Sequence, residues 1–507
     1  MSGCILKLEE ALELLKEHQI FDQVIGEFPA QLSFEHISYD SQAIKANTLF
    51  FCKGANFKPS YLTSAIQAGA TAYLAESAYE SITDVPAIIV TDIRKAMAVL
   101  AMAYYDYPQN KLKITAYTGT KGKTSSVYFL KHILDQQNHG RTALFSTIVT
   151  YTGGAYEKSA LTTPEALELY RNMHQAVENG LTDLVMEVSS QSYKTNRVYG
   201  LTFDIGIFLN ISEDHISPIE HPDFEDYLNC KLQLVKNSRL AVINAETREF
   251  ERIYQTARAH AERVVLFGNA TNHAAKDYYF DHLMNHDGVL SFEIAGDTVE
   301  NQTGPLLNGS YEMNMLGAFN VENALSAMIA AKEYGCDRAI CARGIAETSI
   351  PGRMNLMKVN DITIVIDYAH NYVSMYNLLT TIKEDFPLGN KIVLFGSTGE
   401  KGISRRKDLG RVAGEFADQI IITEDDPQGE DPMKICLEIA SYVESFDTPY
   451  EIILNRSKGI EQALTIAQPG DVVILAGKGA DAYQKRHGVD EYYETDMGAV
   501  KRILNLA

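Results

Sequence analysis

The sequence predicts an α/β fold of three domains: a central doubly wound parallel sheet, a small N-terminal α/β domain and a C-terminal Rossmann-like α/β domain. Three observations lead to this fold class. The chain has 507 residues, too many for a single core. Short apolar runs alternate with helical sequence through its middle and C-terminal parts, which is typical of parallel sheets. A glycine loop lies between one such run and an amphipathic segment.

The composition excludes several classes of protein. With 46% hydrophobic and 22% charged residues, the chain resembles ordinary globular proteins. Its formal net charge of -21 disfavours a large surface for nucleic acid or anionic membranes, because such surfaces need clustered Lys and Arg. The six cysteines form no CxxC pair, which favours reduced thiols and argues against a zinc site.

The N-terminus and the hydropathy pattern predict where the protein works. Met1 to Gln19 carry acidic residues among leucines and no basic region before an apolar one, so we do not expect a signal peptide. No apolar run approaches the roughly 18 residues of a membrane span. We therefore expect a cytoplasmic protein with no membrane partner and no nucleic-acid partner.

Residues 1–110 form the first predicted domain, in which helices and short strands alternate. The expected elements are a helix at 6–18, strands at 48–52 and 87–90, helices at 61–70 and 93–105, a turn at 40–42, and a linker at 107–110.

The central domain, predicted at residues 111–348, is organised around the glycine loop. An apolar strand (Leu112 to Tyr117) precedes Gly119 and Gly122, and an amphipathic helix follows. In this arrangement backbone N–H groups and the helix N-terminus cradle phosphates, so the pattern predicts a P-loop nucleotide site.

Two side chains of this loop have expected roles. Lys123 would reach the β and γ oxygens of the nucleotide, and the Thr124 hydroxyl would hold Mg²⁺. Tyr117 stands where the general pattern has its first glycine, so the loop is a shorter version of the P-loop.

Other strands of the central domain end in polar residues. Glu187 ends one strand, where an acid can hold Mg²⁺, although a solvated strand-end acid fits equally well. His215 follows another and could bind metal, orient a phosphate or be structural. Lys231 is, by pattern alone, a helical lysine. Asn320 to Asn323 could face a nucleotide or cap a helix.

Residues 349–507 form the third predicted domain, with strands expected at 362–366, 392–395, 420–423, 452–454 and 472–475. Polar or glycine-rich segments follow three of them, at 367–370, 396–399 and 477–479, which predicts a ligand cleft at that edge of the sheet. Glu424, Asp425 and Asp426 follow a fourth strand. They form either an acidic turn or a site for a cationic ligand.

Together these motifs resemble the Mur ligase family of ATP-dependent amide-bond-forming enzymes. The resemblance covers nearly the whole chain, and its motifs occur in family order. They are the segments 118–124, 187–190, Asn210 with Asp214 and His215, 317–323, 351–353 and 367–370.

Further motifs resemble the branch that adds the third residue of the peptidoglycan stem peptide. They are Asp40-Ser41, the segment 161–164, Arg197 and the loop 425–428. The resemblance implies that ATP phosphorylates the D-Glu γ-carboxylate of UDP-MurNAc-L-Ala-D-Glu, and that an amine then displaces the phosphate.

The resemblance also implies a role for each matching residue. It implies catalytic roles for Lys123, Glu187, His215 and a carbamylated Lys231, with Thr124, Glu187 and His215 on the metal. It implies nucleotide contacts at Thr118, Gly119, Thr120, Lys121, Gly122, Lys123, Thr124, Ser125, Asn244, Asn323 and Arg353. It implies contacts with the UDP-linked substrate at Ser41, Thr162, Thr163, Ser189 and Arg197. It implies amino-acid recognition at Lys401, Asp425, Asp426, Pro427, Gln428, Gly477 and Asp481.

This chain departs from the family pattern at two places. Thr195 stands where many relatives have Gln, and Ala480-Asp481 stands where many have His-Glu. The second departure makes Asp481 an altered contact for the amino acid.

The loop at 425–428 predicts which amino acid is added. The diaminopimelate-adding relatives carry Asn-Pro-Arg here, and their Arg pairs with the extra carboxylate of the ligand. This chain has Asp426-Pro427-Gln428, and Lys401 stands where those enzymes have another Arg. Two adjacent acids favour an ammonium-ended side chain, so we predict L-lysine, with meso-diaminopimelate as the alternative.

Three further interpretations compete with this one. Folylpolyglutamate synthase shares the chemistry, but it would not need the N-terminal domain, and its acceptor site would suit glutamate. A P-loop switch that only hydrolyses nucleotide would not need the third domain. A non-catalytic scaffold would leave the phosphate loop, the acid and the histidine without a role. The predicted enzyme needs ATP and Mg²⁺, acts on small molecules and is expected to be a monomer.

Overall fold

A computed structural model gives the fold and describes residues 5–29, 31–54, 57–214, 216–217, 220–271, 276–286, 288–296, 306–400 and 402–506. The chain divides into two compact units. Unit 1 comprises Met1–Phe280, Ile294–Asn308 and Glu322–Gly344, and unit 2 comprises Asp281–Glu293, Gly309–Val321 and Ile345–Ala507.

The N-terminal part of unit 1 contains a five-stranded sheet with the order β2-β7-β6-β5-β4. Only β2 runs antiparallel to its neighbour. The elements are β1 (Leu6–Lys7), α1 (Leu8–Glu17), β2 (Phe21–Ile25), β3 (Ser33–Phe34), β4 (His36–Ser38), β5 (Thr48–Phe51), α2 (Pro59–Gln67), β6 (Ala70–Ala75), β7 (Ala87–Val90) and α3 (Ile93–Tyr104). The three predicted helices and two predicted strands are confirmed within a few residues, and the expected linker is a short 3-10 helix (Pro108–Lys111).

The central part of the chain follows the predicted alternation of strands and helices. Its elements are β8 (Lys113–Thr118), α4 (Lys123–Asn138), β9 (Thr142–Phe145), β10 (Val149–Tyr151), β11 (Tyr156–Lys158), α5 (Ala166–Glu178), β12 (Asp183–Glu187), α6 (Ser190–Lys194), β13 (Phe203–Phe208), α7 (Phe224–Lys236), β14 (Ser238–Asn244), α8 (Phe250–His260), β15 (Arg263–Asn269), β16 (Tyr278–His286), β17 (Val289–Ala295), β18 (Gly309–Met313), α9 (Ala318–Glu333) and α10 (Arg338–Glu347).

These strands form an eleven-stranded sheet with the order β11-β10-β9-β12-β8-β13-β14-β15-β16-β17-β18. The division between the two units passes through β16 and β17. Strands β16 to β18 lie in the region where the sequence predicts hairpins, and part of that prediction (272–275, 287 and 297–305) falls outside the described residues.

The position of β8 in this sheet explains where the polar strand ends meet. It lies between β12 and β13 and is parallel to both. Glu187 is in register with Tyr117, and Phe208 is in register with Thr118. Because parallel strands end at the same edge of a sheet, the residues that follow β8, β12 and β13 converge there.

The C-terminal part of unit 2 is a second α/β sheet with the order β19-β20-β24-β21-β22-β23. Its elements are β19 (Asn355–Val359), β20 (Ile362–Asp367), α11 (Tyr372–Asp385), β21 (Lys391–Phe395), α12 (Ser404–Phe416), β22 (Gln419–Ile422), α13 (Pro432–Val443), a 3-10 helix (Glu444–Phe446), β23 (Tyr450–Ile452), α14 (Arg456–Ile466), β24 (Val472–Ala476), β25 (Tyr483–Arg486), β26 (Val489–Tyr492) and α15 (Asp496–Ile503).

All five strands predicted in this part are confirmed and run parallel in one sheet. The antiparallel edge strand β19 and the hairpin β25–β26 are additional elements. Each compact unit contains buried apolar clusters of its own, so the α/β fold class is confirmed. The predicted domain boundaries after residues 110 and 348 stay predictions.

Among the described helices, none combines the length and the apolar character that crossing a bilayer requires.

Candidate active site

The glycine loop, residues 118–122, joins β8 to α4 as the sequence predicts. Gly122 precedes the first residue of α4 and has a φ of +85°, which strains any residue with a Cβ. A Cβ on Gly122 would lie 2.3 Å from the Asn323 side-chain oxygen, and one on Gly119 would lie 3.1 Å from the Leu209 Cβ. Both glycines are therefore required by close approach to neighbouring elements.

Two lysines donate to the same carbonyl oxygen in this loop. Lys123 Nζ lies 2.7 Å from the Gly119 oxygen, and Lys231 Nζ, from α7, lies 2.8 Å from it. Burial and the nearby Lys123 ammonium lower the pKa of Lys231 well below its ordinary value. Lys231, a plain helical lysine by pattern, is therefore a buried side chain at the glycine loop with a tendency to be neutral.

Glu187, at the end of β12, is the acceptor at the centre of this site and is only 1% exposed. It accepts hydrogen bonds from the Thr124 hydroxyl at 2.9 Å, the Thr147 N–H at 2.7 Å and the Thr147 hydroxyl at 3.1 Å. These contacts decide against the reading of Glu187 as a solvated strand-end acid. Hydroxyl and carboxylate oxygens held this close are the ligands that Mg²⁺ takes.

The segment after β13 supports the glycine loop from the other side. Asn210 accepts from the Lys121 N–H at 2.9 Å and donates to the Lys121 carbonyl at 3.1 Å. Lys121 Nζ lies 3.2 Å from an Asp214 oxygen. The Thr120 and Tyr227 hydroxyls are 3.1 Å apart, which connects the loop to α7. His215, predicted to bind the metal, lies outside the described residues.

The predicted nucleotide contacts Asn244 and Asn323 come from two elements. Asn323, on α9, accepts from the Ser126 hydroxyl at 3.3 Å, at the first turn of α4. Asn244, at the end of β14, donates to Glu322 at 3.0 Å. Burial raises the pKa of Glu322 to about 7. Asn323 therefore lies at the start of the helix that follows the glycine loop.

Four of the predicted contacts with the UDP-linked substrate lie close to Glu187. Thr162 accepts from the Thr147 hydroxyl at 3.1 Å, and Thr163 donates to the Glu187 carbonyl at 3.0 Å. Ser189 N–H donates to the Thr163 hydroxyl at 3.0 Å, and Arg197 donates to the Thr163 carbonyl at 3.2 Å. These residues and Glu187 therefore share one hydrogen-bonded region.

Arg197 also belongs to a group of buried charges. Its Nε lies 3.0 Å from Glu165, whose other oxygen lies 2.6 Å from Lys53 Nζ. Although burial opposes ionisation, the Lys53 hydrogen bond and the Arg197 charge hold the pKa of Glu165 below its usual value. Ser41 lies beside Asp40, whose carboxylate accepts from the Gln42 N–H at 2.9 Å in an Asx turn.

In unit 2, the acidic loop after β22 faces a lysine that the sequence did not single out. Lys478 Nζ lies 2.8 Å from Asp426 and 3.9 Å from Asp425. Burial raises the pKa of Asp425 to about 6, although the Lys478 charge opposes the rise. Asp425 is thus a buried carboxyl group, and the Lys478 ammonium lies closer to Asp426 than to Asp425.

Glycines bring the strand ends of this sheet together. A Cβ on Gly477, whose φ is +108°, would lie 2.7 Å from an Asp425 oxygen, and one on Gly399 would overlap the Pro427 carbonyl oxygen at 1.9 Å. Gln428 has a φ of +56° and its N–H donates to the Lys485 carbonyl at 3.0 Å. Lys401, predicted to contact the amino acid, lies outside the described residues.

The remaining predicted contacts of unit 2 are Arg353 and Asp481. The Arg353 guanidinium lies 4.5 Å from the centre of the Tyr368 ring. Burial raises the pKa of Tyr368 to about 12, and the Asp481 charge adds to the rise. The Asp481 N–H donates to the Lys478 carbonyl at 3.0 Å, so both predicted residues lie near the acidic loop.

The structure adds Thr147, Tyr227 and Lys478 to the predicted residues. Thr147 follows an apolar strand, so the strand-end rule that found Glu187 could have found it. Lys478 lies in the segment 477–479, which was predicted to line a ligand cleft, but Lys478 itself was given no role. The position of Tyr227 on α7 had no sequence signal.

Family models match most of the chain. The model described as "Mur ligase middle domain" matches residues 117–331, and the model described as "Mur ligase, glutamate ligase domain" matches residues 352–479. The chain is 50% identical to the "UDP-N-acetylmuramoyl-L-alanyl-D-glutamate--L-lysine ligase" of Enterococcus faecalis (strain ATCC 700802 / V583). That match covers 98% of this chain and 97% of the relative.

Two solved structures share the fold. The structure of a "UDP-N-acetylmuramoyl-L-alanyl-D-glutamate--2, 6-diaminopimelate ligase" superposes with a TM-score of 0.67 at 24% identity, over 97% of this chain and 98% of that chain. The crystal structure of the MurF ligase from Thermotoga maritima in complex with ADP superposes with a TM-score of 0.59 at 16% identity, over 93% of this chain and 96% of that chain.

Proposed function

Because the chain belongs to the Mur ligase family, we propose that it is the ATP-dependent ligase that joins L-lysine to UDP-N-acetylmuramoyl-L-alanyl-D-glutamate. The bond forms at the D-glutamate γ-carboxylate, in the synthesis of peptidoglycan, on which cell shape and division depend. The relative that is named for this reaction is 50% identical over nearly the full length.

One observation in the site carries the proposal. The Glu187 carboxylate accepts from Thr124, which begins the helix after the glycine loop, and from Thr147, which bonds Thr162 in the predicted substrate region. A nucleotide at the glycine loop and a substrate at Thr162 would therefore meet at one acid. A nucleotide switch has no use for this second group of residues.

The proposed reaction begins with phosphoryl transfer. An oxygen of the D-glutamate γ-carboxylate attacks the γ-phosphorus of ATP, the bond to the ADP oxygen breaks, and an acyl phosphate forms. Lys123 donates to the Gly119 carbonyl oxygen. Its side chain is long enough to bond the γ-phosphoryl group instead and neutralise its charge. This step makes a leaving group of a carboxylate oxygen that would otherwise not leave.

Amide formation follows. The amine of L-lysine attacks the acyl carbon, the carbon–oxygen bond to phosphate breaks, and inorganic phosphate and a proton are released. The acidic loop at Asp425 and Asp426 would hold the lysine side-chain ammonium. The Lys478 charge would reduce the repulsion between the two carboxylates.

The residues around Glu187 fit a magnesium ion. Thr124 and Glu187 supply hard oxygen atoms 2.9 Å apart, and His215 is the third predicted ligand. When bound, Mg²⁺ would neutralise charge on the nucleotide phosphates. The lowered pKa of Lys231 favours the neutral amine, which is the form that takes up carbon dioxide to become a carbamate.

The diaminopimelate alternative is not favoured, because the structure named for that ligand is only 24% identical, against 50% for the lysine-named relative. The 50% identity over nearly the full length also disfavours folylpolyglutamate synthase, whose solved structures are 14% and 16% identical over 82% and 76% of this chain. The family match disfavours a nucleotide switch. We also propose that the enzyme acts as a monomer in the cytoplasm, where ATP and UDP-linked precursors are made.

A direct assay tests the proposed function. Purified protein would receive ATP, Mg²⁺ and the UDP-muramoyl dipeptide with either L-lysine or meso-diaminopimelate, and phosphate release would be followed. We expect release with L-lysine. No release with either amino acid would refute the ligase proposal, and release only with diaminopimelate would refute the role of the acidic loop.

A further inference from the structure

We propose that His221 is a positioning residue that holds helix α7, and with it Lys231, against the glycine loop. The placement of His221 comes from the structure alone, and its consequence for turnover rests on the proposed function. His221 lies in the loop before α7, and its side chain is fully buried. It was not among the residues that the sequence singled out.

The His221 ring joins two elements through its two nitrogens. Nε2 lies 2.9 Å from the Ser190 hydroxyl, at the start of α6, and Nδ1 lies 2.6 Å from an Asp226 oxygen, in the first turn of α7. The Lys194 ammonium, at the end of α6, lies 2.6 Å from the same Asp226 oxygen. Both ends of α6 are thus attached to the start of α7.

The charges fix which atom donates in each bond. The Lys194 hydrogen bond holds the pKa of Asp226 below its usual value, so Asp226 is a carboxylate and can only accept. The His221 Nδ1 therefore carries a hydrogen, and in the neutral ring Nε2 accepts from the Ser190 hydroxyl. In this tautomer both nitrogens are bonded and the ring orientation is fixed.

These bonds complete a ring of contacts around the glycine loop. Ser190 lies three residues after Glu187, which bonds Thr124 on α4. From α7, the Tyr227 hydroxyl lies 3.1 Å from Thr120, and Lys231 lies 2.8 Å from the Gly119 carbonyl. We call this closed path the phosphate ring, and His221 connects its Glu187 side to its Lys231 side.

Besides the apolar packing of α7, two sets of polar contacts hold the helix near Lys231. One is the loop side, through Tyr227 and Lys231 themselves, and the other is the His221 side. Without His221, α7 would lose its bond to Ser190 and keep the Lys194–Asp226 ion pair and its apolar packing. Its contacts at the glycine loop would then change more freely when a nucleotide binds. The bonds of the His221 ring described above reach Ser190 and Asp226, neither of which reacts, so its effect would act through Lys231. Loss of such a supporting partner typically lowers activity about 10- to 100-fold.

The first test measures the reactivity of the Lys231 amine in the absence of substrate. Ser190→Ala and His221→Asn both remove the Ser190–His221 bond, and the Asn amide can still donate to Asp226. Wild type and variants would react with cyanate, which modifies neutral amines, and peptide mass spectrometry would follow the rate at Lys231 relative to Lys236 on the same helix. We expect the ratio to rise at least three-fold in both variants. An unchanged ratio would overturn the proposal.

The second test uses turnover and a double-mutant comparison. We expect kcat to fall roughly ten-fold in each single variant, with the calorimetric ADP affinity within three-fold of wild type. The Ser190→Ala/His221→Asn double variant should lose no more than the worse single variant, because both remove the same bond. A loss equal to the product of the two single losses would contradict a shared bond.

A matched histidine variant controls for general damage. His174 on α5 is half-buried, and its Nδ1 lies 3.0 Å from the Tyr105 carbonyl oxygen, outside the phosphate ring. His174→Asn should leave both the cyanate ratio and kcat unchanged. An equal effect in His174→Asn would show that the His221 result reflects a general loss of stability, and it would overturn the inference. Wild type that modifies as expected but fails to ligate lysine would refute the proposed function alone.

Discussion

The carbonyl oxygen of Gly119 accepts from Lys123 and from Lys231, at 2.7 and 2.8 Å. The Lys123 ammonium places positive charge at the glycine loop of a chain whose formal net charge is -21, and Lys231, whose pKa is lowered by burial, adds a second N–H donor. A local cluster of this kind is what an anionic ligand needs when the protein as a whole repels it.

Lys123 should be indispensable for phosphoryl transfer. We expect Lys123→Ala to reduce phosphate release to background, because Lys131, the other lysine of α4, lies about two turns further along the helix and is paired with Asp135. The measurement is phosphate release with L-lysine at saturating ATP. Lys236→Ala, at the far end of α7, should retain wild-type turnover. Turnover of Lys123→Ala above a tenth of wild type would contradict the role of Lys123.

Lysine binding should depend on pH through Asp425. Burial raises the pKa of this carboxyl group to about 6, so the proton stays on in the folded protein at a pH where it leaves in the unfolded chain. The lysine ammonium needs the ionised form, whose fraction rises about ten-fold between pH 5 and pH 7. We expect the KM for L-lysine to fall by a similar factor over this range. Asp425→Asn should raise the KM and remove the pH dependence, and an unchanged profile would contradict the role of Asp425.

Charge in the acidic loop should control the choice of amino acid. Gln428→Arg places a cation in a loop where Asp426 already bonds Lys478 at 2.8 Å, so a second ammonium would be repelled. We expect kcat/KM for L-lysine to fall at least ten-fold and ADP affinity to stay within two-fold, by turnover and calorimetry. Asp425→Arg should act in the same direction. Equal loss of lysine use and ADP binding would argue against a recognition loop.

Single residues also show which parts of the site could be predicted from the sequence. Glu187 and Asp425 were found because each follows an apolar strand. The deeply buried Lys478 was not assigned a role, because only the fold shows that its ammonium reaches across to the acids after β22. His221 and Tyr227 escaped for the same reason, since their partners lie on other elements.

At the scale of elements, the strand β8, the glycine loop and helix α4 were predicted together. The apolar run, the glycines and the helical period each have a local physical cause, so sequence was sufficient. The edge strand β19 and the hairpin β25–β26 were missed. Their short runs, Asn355–Val359 and Tyr483–Arg486, mix polar with apolar residues and are supported by pairing to neighbours.

Two glycines at opposite ends of α4 allow a matched test of the glycine loop. Gly122→Ala would force a Cβ to within 2.3 Å of Asn323 at a φ of +85°, and we expect at least a ten-fold loss of ADP affinity. Gly140→Ala has a φ of +80° with nothing near the added Cβ, so it should cost about 1 kcal/mol of stability and leave ADP affinity unchanged. Calorimetry and thermal unfolding would measure both. Equal ADP affinities would contradict the close-packed loop.

At the scale of the whole molecule, each unit has apolar clusters of its own, such as the one around β8 in unit 1 and the one around β24 in unit 2. The sequence predicted separate sheets from chain length and from the spacing of apolar runs. It could not predict that unit 2 includes Asp281–Glu293, because that assignment depends on contacts far apart in the chain.

Separate cores should be visible in unfolding. We expect differential scanning calorimetry to resolve two transitions, because each unit contains a buried apolar cluster of its own. Mg²⁺ and ADP at 100 times the dissociation constant should stabilise the unit that contains Lys123 by about 2.7 kcal/mol. Only one transition should then move, and Lys123→Ala should abolish the shift. A single transition that shifts as a whole would contradict independent cores.

Glu187 accepts from Thr124 on one side and from Thr147 on the other, and Thr147 reaches Thr162. A ligand that displaces the Thr124 bond or the Thr147 bonds changes which groups the same two carboxylate oxygens accept from. The two binding equilibria are therefore linked, and linkage is reciprocal. Whatever factor the nucleotide applies to the affinity of the acceptor, the acceptor must apply to the affinity of the nucleotide. A compound that bonds this carboxylate would therefore change the affinity for both partners.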